Sequence, residues 1–135
     1  MIKFCNVPLC VLLLLKIRVF NLEPLLPTLR GRKRYIAIEV LSDEPVQRNA
    51  FINAVSYAGC SLLGDLGFAK CGASVLGFEN NNGIIKCRHT AVSETIAVLT
   101  FITNVDGQAV IVRSAGVSGT IKGAETKYLK HLKSE

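Results

Sequence analysis

Four cations fall within five residues, at Arg30, Arg32, Lys33 and Arg34. Charge packed this closely suits a polyanion, and the planar fork of arginine adds paired hydrogen bonds to phosphate oxygens. A solvated basic linker has the same composition, so the cluster alone leaves both readings open. Lys86 and Arg88 alternate with Ile85 and Cys87 in a strand-like segment, which places both cations on one face. Arg113 and Ser114 precede a glycine-rich run, GVSG at 116–119, that leads to Lys122. Gly116 and Gly119 would let backbone N–H groups approach a phosphate, although a tight turn would call for the same glycines. Lys127, Lys130 and Lys133 keep the tail basic.

Other chemistries find less support. Gly72 and Gly77 have the spacing of a phosphate loop, but Phe78 stands where such a loop needs lysine. No nucleophile-elbow pattern surrounds Ser118. Asp43 and Glu44 are adjacent acids that suit a helix start better than acid–base work. A ribonuclease built on His89 and His131 is conceivable, yet nothing else in the chain supports the pairing. Five cysteines, at 5, 10, 60, 71 and 87, form no Cys-x-x-Cys pair and extend no zinc-like spacing. Cys60, Cys71 and Cys87 lie in apolar segments and read as small buried hydrophobes of a reducing cytosol.

With 135 residues, half of them hydrophobic, the chain is long enough for one packed core. The net charge of +6 points to a polyanion partner or to a merely soluble surface. Residues 7–15 form an apolar run too short to cross a bilayer, which takes about 20 residues. Residues 1–26 are therefore expected to be an N-terminal extension, with one domain over 27–135 and no membrane anchor.

Six elements are expected to position the cations. Ile36, Ile38 and Val40 share one face of a strand over 34–41. A helix over 45–62 carries Val46, Ala50, Phe51, Ala54, Ala58 and Leu62 on one stripe and ends at Gly64. Strands over 69–78 and 84–89 flank the turn ENNNG. A helix spans 92–103, a strand 109–113, and a short basic helix 124–132 follows the glycine-rich connection. The order, β-α-β-β-α-β, predicts an α+β ferredoxin-like sandwich: an antiparallel sheet with two helices on one face, plus the short C-terminal helix. The other sheet face would stay open for RNA or a protein. Its strands lack the aromatics that stack bases, apart from Tyr35, so backbone and shape recognition is the expectation.

The runs LPTLRGRKRYIAIEVLS, SLLGDLGFAKCGASVL, GIIKCRH and above all VRSAGVSGTIKGAETKYL resemble the RNase P protein component 2 family of archaea, shared with a eukaryotic subunit of RNase P and RNase MRP. The resemblance covers about residues 26–130 and leaves the first 25 or so unmatched. It implies a non-catalytic protein subunit of the cytoplasmic endoribonuclease that removes the 5′ leader from precursor tRNA. The partner RNase P RNA would be the catalyst and would hold the Mg²⁺, with no cofactor on the protein. RNase P protein component 3 would be the protein partner, in a heterotetramer. The family motif falls on Arg113, Gly116, Val117, Ser118, Gly119, Thr120, Ile121 and Lys122. Arg30, Lys33, Arg34 and Arg88 resemble its basic positions around the first and third strands.

Overall fold

A computed structural model describes residues 26–130. Chain contacts divide at Arg30 and Gly31. Of the residues before that division, Pro27–Leu29 form a single 3-10 turn. The apolar run at 7–15 and His131 lie outside the described residues.

From Gly31 onward the elements are β1 (Lys33–Leu41), α1 (Arg48–Cys71), β2 (Ser74–Glu79), β3 (Asn82–Arg88) and α2 (Val92–Thr100). A two-rung ribbon, β4 (Asn104–Val105) and β5 (Gln108–Ala109), leads into β6 (Ile111–Ser118). Helix α3 (Ile121–Ala124) continues as a π-helical turn over Glu125–Leu129. The main sheet is antiparallel in the order β2-β3-β1-β6, the strand order of a ferredoxin-like sandwich.

Alternation along β1 sorts the two faces. Ile36, Ile38 and Val40 join Phe51 and Val55 of α1, Val98 and Leu99 of α2, and Ile85, Cys87 and Val112 in one core. Phe51 stacks on Phe78 with ring centroids 4.7 Å apart. Asn80 (φ 49°) and Asn81 (φ 62°) make the two-residue β2–β3 turn, where Asn tolerates the left-handed region. Asn81 also fastens the β1–α1 loop: its Oδ1 accepts from the Val46 N–H at 3.0 Å, and its side-chain amide donates to Ser42 Oγ at 2.9 Å.

Four local expectations need correction. Helix α1 starts at Arg48 rather than Pro45 and does not end at Gly64; residues 65–71 are helical, so β2 begins at Ser74 rather than 69. Gly64 (φ 69°, ψ 168°) breaks the axis, and the ring of Phe68 packs where Gly59 has no side chain. Leu62 is exposed, and Val55, one turn after Phe51, is buried in the stripe. Second, β6 runs on to Ser118 through what read as a loop, absorbing Ala115 as a bulge between the Ala37–Gly116 and Ile38–Ser114 rungs. Third, Cys60 is exposed, while Cys71 and Cys87 are buried as expected.

The fourth correction concerns the face that was to stay open. Helix α3 and its π-helical continuation pack on β1 and β6 there. Ala37 and Ala124 are fully buried on this side, and the Tyr128 ring lies over Gly116. Leu129 helps enclose a recess of about 430 Å³ against Ile84 and the β2–β3 hairpin. The chain thus covers the centre of this sheet face itself, while Tyr35, Lys86 and the Glu39–Arg113 pair lie on the same face away from Ala37.

Candidate nucleic-acid interface

The antiparallel order brings three strand ends together. β1 begins where β3 and β6 finish, so Lys33 pairs with Arg88, Tyr35 with Lys86 on one side, and Tyr35 with Ser118 on the other. Arg32 is tied to the same end by its carbonyl, which accepts from the His89 N–H at 3.1 Å. Lys86 and Arg88 have the outward alternation opposite the core residues Ile85 and Cys87, as the sequence predicts, and Lys33, paired with Arg88, shares their face. Lys33 and Arg88 are exposed, and Lys86 is half-buried.

Arg34 follows the other alternation, in line with Ile36, and pairs with Cys87. Its guanidinium reaches the turn after β6: a Cβ added at Gly119 would stand 3.2 Å from Arg34 Nη1. The Arg88 side chain passes Gly72, the left-handed cap of α1, where carbonyls at the helix end favour a cation. The cations thus ring the end of the sheet on both faces instead of paving one face.

The glycine-rich motif fixes this end. Thr120 caps α3 by accepting from the Gly123 N–H at 3.1 Å. A Cβ at Gly123 would meet Ser118 Oγ at 2.6 Å and Thr120 Oγ1 at 2.9 Å. Gly116 sits in a strand rung beneath Tyr128, so its missing side chain makes room for a ring. Ser118 and Gly119 stand at the basic end, and Lys122 follows, exposed, in α3.

Not every expected site residue gathers here. Arg113 lies towards the opposite end of β6, opposite Glu39, and its Nη2 is 2.6 Å from Glu39 Oε2. Ser114 is its half-buried neighbour. Arg30 belongs to the segment before the division. Sequence reasoning did not single out Tyr128, whose spacing from Gly116 gives no signal before the helix is seen to fold back.

Burial pushes the Cys71 thiol up, with Glu94 adding to the effect and Arg88 opposing it. Burial likewise raises the Cys87 thiol, against the Thr95 hydroxyl. Among the described residues no three His, Cys, Asp or Glu side chains stand together to hold a metal. None of the described helices is long and apolar enough to cross a membrane.

The described residues thus form a ferredoxin-like sandwich with one face capped by the chain's own helix and one end ringed by cations. The chain belongs to the Rpp14/Pop5 family, whose profile matches residues 34–129. It is 43% identical over 114 residues to Ribonuclease P protein component 2 of Methanosarcina barkeri, covering 84% of each chain. The component 2 protein of Methanosarcina mazei is 44% identical over 109 residues, 81% of this chain and 94% of that one. That of Pyrococcus furiosus is 37% identical over 108 residues, 78% of this chain and 90% of that one. Among solved structures, a chain of yeast ribonuclease MRP has the same fold, with a TM-score of 0.57 at 12% identity over 78% of this chain and 91% of that one.

Proposed function

We propose that this chain is a protein subunit of ribonuclease P, which binds and supports the catalytic RNA that removes the 5′ leader from precursor tRNA. The observation that carries this reading is the similarity to component 2 proteins, which extends over most of both chains. In this reading the protein supplies no catalytic group. The RNA holds the Mg²⁺ and performs the cleavage in the cytoplasm. The protein neutralises phosphates that the folded RNA brings close together.

Arg32, Lys33, Arg34, Lys86, Arg88 and Lys122 are the proposed phosphate contacts, with Ser118 and Gly119 at the same end and Arg30 joining them by sequence. Arg113 is held by Glu39 and, with Ser114 and Gly116, serves the scaffold first. RNase P protein component 3 is the proposed partner, in a heterotetramer. The test is precursor-tRNA cleavage by RNase P RNA with component 3 at low Mg²⁺, with and without this chain. A rate gain that requires the chain supports the subunit reading, and no gain with active partners sinks it.

A second reading is a protein-docking module whose charge is incidental. Tyr57, Leu66 and Phe101 favour it, since they are exposed at 78%, 72% and 58% in and beside the helix layer. A partner complex with no RNA affinity would select that reading.

A further inference from the structure

We infer that Gly119 is a positioning residue for Arg34, acting by leaving room for the guanidinium. The inference rests on the RNA-binding reading of the basic end. Glycine near a phosphate ordinarily suggests a left-handed backbone or a bare N–H offered to the ligand. The first does not apply, because Gly119 is not among the glycines of positive φ, which are Gly64, Gly72 and Gly107. What its missing Cβ does accommodate is a single neighbour, Arg34 Nη1. The register explains why: Tyr35 pairs with Ser118, so Arg34 and Gly119 stand at the next rung outward.

Arg34 is rooted at its strand position beside Cys87, which is 1% exposed, and is itself half-buried. Its fork is therefore aimed by the strand below and the turn above. With one edge against Gly119, the remaining N–H donors are left to grip a phosphate in the paired geometry that suits arginine. A methyl at 3.2 Å is closer than ordinary van der Waals contact, so the guanidinium must shift by a few tenths of an ångström. The end of a long side chain can make that shift without unfolding the turn, but the aim of the fork changes.

The test is a double-mutant cycle in the full chain assembled with component 3, binding cognate RNase P RNA over a range of salt. Arg34→Ala should weaken binding and lower the slope of log K against log salt by about one. Gly119→Ala should weaken binding about three- to tenfold and lower the slope in the same direction, with an unchanged melting temperature. In the Arg34→Ala background it should have no further effect. A Gly119→Ala penalty that persists without Arg34 would assign the glycine to direct backbone contact and overturn the inference. So would a wild-type affinity for Gly119→Ala.

Gly123→Ala is the structural control, because its Cβ would press on the Ser118 and Thr120 hydroxyls. It should lower the melting temperature and leave the salt slope alone. If the assembled complex binds no RNA at all, the subunit reading itself fails, an outcome separate from additivity in the cycle.

Discussion

Single residues at the basic end differ in what holds them, and that decides what their loss should do. Arg32 immediately precedes β1, and Lys33 and Arg34 are its first two residues. Replacing all three with alanine should lower the salt slope of RNA binding by about two to three, and an unchanged slope would remove them from the interface. Arg113→Ala should matter less for RNA, since that guanidinium already faces Glu39. Its stability cost should be about 1–3 kcal/mol, because Glu39 Oε2 is buried and loses its ion-pair partner. The cysteines give a pH signature. Cys71 and Cys87 have thiols raised by burial, so the native state keeps protons that the unfolded chain gives up. Stability should therefore hold below the ordinary thiol range and fall as pH rises through it, which chemical denaturation on either side of pH 9.0 would measure. Cys60, exposed but raised first by its hydrogen bond to Asp65, should alkylate in the native state ahead of the two buried thiols. The cation positions were legible in the sequence because strand alternation assigns faces. The pairing of Arg34 with Gly119 was not, because it depends on the register between strands that are distant in the chain.

Elements were legible where pattern and turn chemistry agreed. Asn80 and Asn81 marked the hairpin, and the alternation of Ile36, Ile38 and Val40 marked β1, because both signals are local. Glycine misled twice. Gly64 resembles a helix terminator, yet the chain resumes helical geometry at once and sets Phe68 against Gly59. Gly116 resembles a loop residue, yet it continues β6 because Tyr128 needs the space. No rule of spacing could show either, since both depend on a ring arriving from elsewhere. Asn81 ties the hairpin to the β1–α1 loop through two side-chain bonds and a left-handed backbone. Asn81→Ala should cost about 2–4 kcal/mol, combining lost hydrogen bonds with left-handed strain, measured by urea unfolding. Asn81→Gly should recover the strain component and leave the bond component lost.

At the scale of the whole molecule, one core on one face of the sheet carries the fold, and its largest fully buried side chain is Phe51. Phe51→Ala should destabilise by about 3–5 kcal/mol, through lost burial and the cavity left beside Phe78. A change below 1 kcal/mol in calorimetry would contradict that packing. The fold class was legible because six alternating elements admit few arrangements, whereas the covered outer face was not, since a short basic tail gives no sign of where it will lie. The position of β1 also sets an order of events during synthesis. It precedes the other strands of the sheet yet lies at its centre, and its second neighbour, β6, ends at Ser118. Until that strand leaves the ribosome, β1 keeps one bare row of N–H and C=O groups, an edge able to pair with any other nascent chain. Between the end of α2 and the end of β6 that exposure lasts about one to four seconds at ordinary rates of elongation. The nascent domain is thus most vulnerable when α1 and α2 are already made and its oldest strand is still half unpaired.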